Sequence, residues 1–398
     1  MKNRWKIYIA IWFVVVLLNV VAWNSKAFCD YYIFHIFPIW VNTYGRLTGI
    51  FPFSVGEILI VLGVVLVAVA LTLGPAWLCL WLTKVLAEKK MRNPRKEYDS
   101  PLEYCLWMEK AKRPFAWFYE FFIWVLAIVA LVMTLNCFIL YHGSTFSEKY
   151  FGVDTQEYSY EDLVTLRNHV VNKCNELSAK IPRNKDGSIS YEGDMAKMAK
   201  STMQKLGVNY PNLKGYYPSP KPLAFSDFMS QQYMCGYYFP FSMEANYNDV
   251  MYVMNKPSTF CHELAHLKGY IYEDEANFIA FLACIGADDL YFEYSGYLSV
   301  LYYVDNDFYD AVGGDREKYL SEEVILSQVH EDAIFLTKEE WDRIEEKAVL
   351  DTEVVDAASD AFTDTTLKLN GVSDGMISYS RVVKLLLQYY RIHGYETS

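Results

Sequence analysis

Two histidines and a glutamate near the middle of the chain have the spacing of a metal-binding site. Residues 261–266 read Cys-His-Glu-Leu-Ala-His, so His262 and His266 are four residues apart and Glu263 follows the first directly. Residues four apart lie on the same face of a helix, so both imidazoles can bind one metal ion. Glu263 can then take a proton from a zinc-bound water as a general base. The pattern predicts a catalytic zinc site, and a plain surface pair of histidines is the alternative interpretation.

A catalytic zinc ion usually has three protein ligands, and acidic residues follow the motif closely. Glu273, Asp274 and Glu275 come after Gly269, which lets the chain turn back. We expect Glu273 to be the third ligand, with Glu275 as the alternative. Asn277 lies one helical turn beyond Glu273 and is predicted to hydrogen-bond a ligand imidazole. The competing interpretation is that these acids only stabilise a helix N-terminus.

Hydrolysis of an amide also needs a donor that stabilises the oxyanion of the transition state. Tyr294, Tyr297 and His330 lie downstream of the motif and are candidates for this role. The chain contains 33 tyrosines, so a structural role is the commoner expectation for any single one.

The elements around the motif follow from hydrophobic periodicity and from helix-start and helix-stop residues. Residues 160–181 and 195–206 have helical periodicity, and Pro257 and Gly269 suit the start and stop of the motif helix. Residues 239–255 alternate between apolar and polar types, which predicts a strand before that helix. An edge strand there would bind a substrate backbone, although a structural strand fits equally well. The tail is expected to be helical, including an amphipathic helix over 320–336.

Three uncharged apolar runs in the first third of the chain are predicted to cross a membrane, at residues 7–23, 58–82 and 121–141. Residues 83–114 form a polar loop with nine Lys and Arg, which places this loop and the basic N-terminus in the cytoplasm. Everything after the third span is then outside the cytoplasm. Residues 30–57 are aromatic-rich with Pro38 and Pro52, which predicts broken helices at the level of the lipid headgroups.

Charge is distributed unevenly along the 398 residues. Residues 1–141 contain 14 basic and 8 acidic residues, whereas the remainder contains 22 basic and 40 acidic residues. An acidic second part excludes nucleic acid as a partner, because binding a phosphate backbone needs clustered Lys and Arg. The eight cysteines have no paired spacing, so no cysteine-ligated zinc site is predicted.

Several segments together resemble a known family. The pairing of HELAH with EDEAN resembles the gluzincin branch of zincin peptidases. A wider set resembles the membrane-anchored bacterial family catalogued as domain of unknown function 3810, namely FPFSMEAN, CHELAHLKGY, EDEANFIAFLAC, YSGY at Tyr294 to Tyr297 and DGMISY at Asp374 to Tyr379. The resemblance implies a three-span anchor and a zincin-like domain, with no established substrate. Thermolysin-type enzymes place their glutamate further from the second histidine, and a metzincin-like turn at Gly269 would put the third ligand at Tyr272.

These observations predict an α+β protein with three N-terminal transmembrane helices and a mostly helical zincin-like domain with a small sheet. Residues 1–141 are the predicted membrane anchor and residues 142–398 the predicted extracytoplasmic catalytic domain. The expected function is a membrane-anchored zinc metallopeptidase that hydrolyses a peptide or protein substrate outside the cytoplasm, with Zn2+ as cofactor and the lipid bilayer as a second partner. The alternatives are a non-catalytic membrane sensor or scaffold and a zinc amidase acting on cell-wall substrates. The oligomeric state is left open.

Overall fold

A computed structural model describes residues 2–91, 101–152, 158–369 and 381–395. The described chain is mostly helical and contains one small sheet, in agreement with the mixed composition expected from the sequence. It divides into two compact units, Met1–Asn19 with Gly56–Thr134, and Val20–Val55 with Leu135–Ser398. The predicted boundary after residue 141 and the assignment of each part to one side of a membrane stay predictions.

The α-helices and strands of the described residues are numbered in chain order. The helices are α1 Lys2–Asn24, α2 Lys26–Tyr31, α3 Phe37–Thr48, α4 Val55–Met91, α5 Pro101–Met133, α6 Phe146–Tyr150, α7 Tyr160–Lys180, α8 Met195–Leu206, α9 Ser226–Ser230, α10 Lys256–His266, α11 Glu273–Ile285, α12 Leu290–Ala311, α13 Arg316–Leu320, α14 Ser327–Asp332, α15 Lys338–Lys347, α16 Thr352–Leu369 and α17 Arg381–His393. The strands are β1 Lys221–Pro222, β2 Gly236–Phe239 and β3 Glu244–Tyr247.

Three helical stretches are long and apolar enough to cross a membrane: Asn3–Asn24, Val55–Val85 and Lys112–His142. The three apolar helices predicted from the sequence are therefore confirmed, and they indicate a membrane protein. Inside the first unit, Asn19 Nδ2 donates to Thr134 Oγ1 at 3.0 Å and Tyr119 Oη donates to the carbonyl of Ala70 at 2.7 Å. Such interhelical hydrogen bonds satisfy polar side chains within apolar spans.

The polar loop predicted over residues 83–114 is largely helical where the structure describes it. Helix α4 continues to Met91, and α5 begins at Pro101. Alanine, leucine, glutamate and lysine near the end of α4 are strong helix formers, and their propensity outweighs the polarity that suggested a loop. Residues 92–100 of the predicted loop and the DGMISY segment lie outside the described residues.

Residues 25–54, termed the interspan segment, join the first two apolar helices. The predicted helix break is present at residues 49–54, around Pro52, which lie in no helix between α3 and α4. The break predicted at Pro38 is wrong, because α2, a π-helical stretch at Tyr32–Ile36 and α3 follow one another directly. Pro38 lies in the first turn of α3. A backbone N–H in the first turn has no acceptor within its helix, so a proline there is tolerated and does not break the helix. One face of the segment is buried within the second unit, and it includes Cys29, Phe37 and Val41.

The sheet has the strand order β1-β3-β2. Strand β3 pairs in parallel with β1 and antiparallel with β2, with Gly236 opposite Tyr247 and Phe239 opposite Glu244. The strand predicted over 239–255 is thus only four residues long, and the edge position next to it belongs to β2. A turn and a short 3-10 helix at Val253–Asn255 separate β3 from α10.

A buried ion pair fixes the sheet to the interspan segment. Lys221 Nζ donates to Glu244 Oε1, to the carbonyl of Thr48 at 2.7 Å and to that of Phe53 at 3.0 Å. Glu244 Oε1 also accepts from the backbone N–H of Val55 at 3.2 Å. The lysine and glutamate side chains are only 6% and 1% exposed, so these hydrogen bonds replace water almost completely.

The helices predicted over 160–181 and 195–206 are confirmed as α7 and α8. Helices α10, α11 and α12 pack on one another, and α12 also packs on α7. The helix predicted over 320–336 is wrong for most of its length, because only α14 and the last residue of α13 are helical there. Its apolar residues are spaced for one helical face, but Leu320, Val324 and Leu326 are exposed and provide no packing to hold that helix.

Candidate metal centre

The two histidines of the motif project from one face of α10 towards the same point. Their Nε2 atoms lie 3.0 Å apart, and their side chains are only 15% and 6% exposed. Pro257 sits in the first turn of α10, and the backbone N–H of Ser258 donates to Ser295 Oγ on α12 at 3.1 Å. The helix carrying the motif is therefore anchored at its start by a neighbouring helix.

Glu273 reaches the same point from the first residue of α11. Gly269 has a φ of +88°, a left-handed conformation that reverses the chain between α10 and α11. Glu273 Oε2 lies 3.1 Å from His262 Nε2, and Oε1 lies 3.8 Å from His266 Nε2. One ligand atom from each of the three residues lies within 4.8 Å of the others. The structure thus brings together the three residues predicted as metal ligands.

The outer nitrogens of both imidazoles are held by hydrogen-bond acceptors. His266 Nδ1 donates to the carbonyl of Tyr270 at 2.7 Å, and His262 Nδ1 donates to Asn277 Oδ1 at 2.8 Å. A carbonyl oxygen can only accept, so His266 carries its proton on Nδ1 and its Nε2 presents a lone pair when the ring is neutral. Asn277 fixes His262 in the same tautomer, the role predicted for it from the sequence.

The donor set fits a zinc ion. The lone pairs of two imidazole nitrogens and a negatively charged carboxylate converge on one point. These three groups repel one another electrostatically, and a cation between them would remove the repulsion. Tetrahedral zinc with bonds of about 2.0 Å holds its ligand atoms about 3.3 Å apart, and the three separations here are 3.0, 3.1 and 3.8 Å. Two imidazoles with one carboxylate are also a ligand set found in catalytic zinc sites.

The pKa shifts of the three ligand residues are consistent with a site that favours positive charge. Burial lowers the pKa of His266 to about 4. Burial acts on His262 in the same direction, but the hydrogen bond and negative charge of Glu273 outweigh it and raise the pKa of His262. Burial would raise the pKa of Glu273, yet its histidine partners hold it well below the usual range.

Glu263 is buried beside the ligands, and no described residue donates a hydrogen bond to its Oε2. Burial, reinforced by the charge of Glu273 and opposed by that of His262, raises the pKa of Glu263 to about 8. Gly236 on β2 lies against it, because a β-carbon there would stand 2.7 Å from Glu263 Oε1. This carboxyl is therefore a buried acid-base group with one oxygen that accepts no hydrogen bond from the described residues.

The alternative third ligand, Glu275, points elsewhere. Its Oε1 accepts a hydrogen bond from the backbone N–H of Phe146, at the start of α6. Burial, with the charge of Asp274 adding to it, raises the pKa of Glu275 to about 8. Glu275 thus serves the packing of α6 on α11. Tyr272 is also engaged away from the histidines, since its Oη donates to the carbonyl of Tyr141 at 2.7 Å.

The contacts of the three predicted oxyanion donors lie away from the metal ligands. Tyr294 Oη donates to Asp332 Oδ2 at 2.7 Å, Tyr297 Oη lies 3.5 Å from Tyr390 Oη, and His330 is exposed on α14. A different tyrosine lies next to the site. Tyr303 Oη on α12 is 3.4 Å from Asn277 Nδ2, and burial together with the charge of Glu273 raises the pKa of Tyr303 to about 12. No spacing signal in the sequence distinguishes Tyr303 from the other tyrosines.

The packing of α10 on α11 joins the two ligand-bearing helices along their length. Cys261 Sγ and Cys284 Sγ lie 4.0 Å apart as fully buried free thiols. Ala276, Ile279, Ala280 and Ala283 of α11 are all buried, as the small-residue face of this helix predicts. The relative position of Glu273 and the two histidines therefore rests on a continuous apolar contact.

A family model described as "Protein of unknown function (DUF3810)" matches residues 32–387. The match covers most of the chain, so this protein belongs to that family, and the resemblance noted from its sequence segments is confirmed at that level. No curated protein matches the chain significantly. No solved structure does so either.

Proposed function

We propose that this protein is a membrane-anchored zinc metallopeptidase of zincin-like architecture. His262, His266 and Glu273 hold the metal, and Glu263 is the general base. The observation that carries the proposal is the convergence of three ligand atoms within 4.8 Å, each oriented by the fold, beside a buried carboxyl that no described residue compensates. A zinc ion held there would act as a Lewis acid that polarises the scissile carbonyl and makes a water molecule more acidic.

The other steps of hydrolysis are carried out by residues of the chain. Glu263 takes a proton from the attacking water as its oxygen bonds to the carbonyl carbon, and gives a proton to the amine nitrogen as the C–N bond breaks. Asn277 and the Tyr270 carbonyl hold both imidazoles in the ligating tautomer. Tyr303 replaces Tyr294, Tyr297 and His330 as our candidate donor to the oxyanion, because it alone among the four contacts Asn277.

A peptide substrate is supported by the position of β2. This strand is at an edge of the described sheet, and its first residue, Gly236, lies against Glu263. An extended peptide can pair with such an edge through main-chain hydrogen bonds, which brings a backbone carbonyl near the base without requiring particular side chains.

The proposed location of the site is outside the cytoplasm. The interspan segment and the chain after Leu135 belong to one compact unit, which supports placing them on the same side of a membrane. The two apolar helices between them return the chain to that side. The excess of Lys and Arg at residues 83–114 favours the cytoplasm for the opposite side.

The decisive experiment measures metal content and hydrolysis on the full chain purified in detergent. We expect one zinc ion per chain in the wild type and in Glu263→Gln, whereas His262→Ala should lose it. Glu263→Gln should abolish cleavage of a peptide library that the wild type cleaves. A wild-type protein without stoichiometric zinc, or full hydrolysis by Glu263→Gln, would refute the proposal. Zinc without any peptide cleavage would favour the sensor or scaffold, and release of fragments from cell wall alone would favour an amidase.

A further inference from the structure

The interspan segment has a second apolar face that no described residue covers. Eight of its large apolar side chains are between 43% and 73% exposed. They are Tyr31, Phe34, Ile39, Tyr44, Leu47, Ile50, Phe51 and Phe53. An exposed apolar surface of this extent on one short segment is uncommon in a water-facing domain and marks a contact site.

The opposite face of the segment is bound firmly to the second unit. Phe37 is completely buried, and Thr48 Oγ1 donates to the carbonyl of Ser242 at 2.8 Å. Ile33 packs against the turn at Gly269, where a β-carbon would stand 2.8 Å from Ile33 Cγ2. The segment is therefore a fixed layer with its exposed apolar side chains turned away from its own unit.

The few charged residues of the segment each have a partner in the second unit. Residues 25–54 contain only Lys26, Asp30 and Arg46 as charged side chains. Lys26 Nζ pairs with Glu148 at 2.9 Å, and Asp30 accepts from the Ser144 N–H at 2.8 Å. The guanidinium of Arg46 lies 3.9 Å from the ring centre of Tyr216.

We propose that this outer face lies in the headgroup zone of the bilayer and contacts lipid. The segment begins one residue after the apolar stretch Asn3–Asn24 and ends one residue before Val55–Val85. A 30-residue segment joined at both ends to apolar helices of membrane-spanning length is held close to the bilayer surface, so lipid is the apolar partner nearest to it. Tyrosine and phenylalanine with few charges suit this depth.

Other parts of the same unit also expose apolar side chains and supply controls. Val208 and Val324 are strongly exposed, at 71% and 57%. Val324 follows Glu322 and Glu323, and Val208 is followed by Asn209. These two positions serve as controls, because they are exposed apolar residues of the same unit that lie outside the interspan segment.

The experiment uses the full chain in vesicles of phosphatidylethanolamine and phosphatidylglycerol that contain an alkyne-tagged phosphatidylglycerol. The photoreactive amino acid p-benzoylphenylalanine replaces Phe34, Leu47 or Ile50 in separate proteins. It also replaces Leu62 on α4 as a positive control, and Val208 or Val324 as negative controls. Tagged lipid covalently attached to the chain after illumination is the readout, and it does not depend on hydrolysis or on zinc.

We expect lipid adducts at Phe34, Leu47 and Ile50 in yields within about threefold of that at Leu62, and at least tenfold above those at Val208 and Val324. A cross-linked product of twice the chain mass at these three positions would overturn the proposal in favour of a second copy of the chain. Absence of lipid adducts there, with Leu62 reacting normally, would also overturn it, as would equal yields at the negative controls.

Discussion

The α-carbon of Gly236 packs directly against the carboxylate of Glu263, which leaves no room for a side chain on that strand position. A β-carbon at Gly236 would stand 2.7 Å from Glu263 Oε1 and 2.6 Å from the carbonyl of Asn246. The first residue of the edge strand therefore determines where the proposed general base can lie.

Gly236→Ala is expected to displace Glu263 without removing any metal ligand. Because a misplacement of about 1 Å can cost roughly 100-fold in rate, we expect a loss of that order in kcat with unchanged zinc content. Peptide cleavage and metal analysis of the same sample check this. Gly63→Ala is the control, since no atom lies within 4 Å of a β-carbon there. Normal cleavage by Gly236→Ala would contradict a role for this carboxylate.

Glu273 and Glu275 provide a matched pair for identifying the third ligand. Glu273→Gln should lose zinc, because a neutral amide replaces the carboxylate that faces both histidines. Glu275→Gln should keep zinc, since the amide oxygen can still accept from the Phe146 N–H and the buried position no longer holds an acid. Zinc content after dialysis against a weak chelator distinguishes the two. The reverse outcome would show that Glu275 is the ligand.

Asn277→Ala should weaken zinc binding without abolishing it. The variant leaves all three ligands in place but removes the acceptor that orients His262. Loss of such a partner typically costs 10–100-fold in metal affinity. Competition with a chromogenic chelator measures the affinity, and Asn209→Ala, a turn residue outside the site, is the control. An affinity equal to that of the wild type would mean that α10 alone orients the imidazole.

Gly269→Ala should destabilise the protein through two separate effects. A left-handed φ costs a residue with a β-carbon about 1–2 kcal/mol, and overpacking against Ile33 adds about 1–3 kcal/mol. Gly187→Ala isolates the first effect, because Gly187 has a φ of +85° and no atom within 4 Å of a β-carbon. Thermal unfolding should therefore show a larger fall in Tm for Gly269→Ala. Equal falls in Tm for the two variants would show that Ile33 moves aside without a loss of stability.

His169 should make the folded state sensitive to mild acid. Burial, and then the charge of Lys173, lower the pKa of His169 to about 4, below the value of 6.5 for an unhindered histidine. Between these values the unfolded chain binds a proton that the folded chain does not, so stability falls as the pH drops from about 6.5 towards 4.

The variant His169→Gln tests this acid sensitivity, because it removes the titrating imidazole but keeps a polar group near the hydroxyl of Tyr390. Its Tm should fall less than that of the wild type between pH 7 and pH 5. The exposed His330 gives the control, since His330→Gln should follow the wild type. An unchanged pH dependence in His169→Gln would assign the acid sensitivity to other groups.

The three ligand positions can be predicted from the sequence, because their geometry depends on residues close together in the chain. Four-residue spacing on a helix places His262 beside His266 and Asn277 beyond Glu273, and the structure has both arrangements. The turn between the helices follows from Gly269, the type of residue that adopts a positive φ without strain. Whether these residues bind zinc stays a prediction.

Features of the site and fold that depend on contacts between distant residues cannot be predicted in this way. Nothing near Tyr303 in the sequence indicates that α12 brings it to Asn277, 26 residues away. The prolines and glycines of the interspan segment predict an irregular chain, because residue types alone do not contain the tertiary packing that makes α2 and α3 helical. Glu275 likewise has a partner, Phe146, that lies 129 residues earlier in the chain.

The hydrogen bonds of Lys221 have a practical consequence for producing the protein. A fragment that starts at residue 142 would remove the carbonyls of Thr48 and Phe53 from a buried ammonium group and the Val55 N–H from Glu244. Lys221 and Glu244 would keep each other but lose these hydrogen bonds, and the surface of the second unit that covers Phe37 and Val41 would be exposed to water. Each large apolar side chain taken from such a contact costs about 1.5–3 kcal/mol, a large share of the stability of many domains. We therefore expect the region after the third apolar helix to be unstable by itself, and a fragment without the apolar helices should retain residues 25–55.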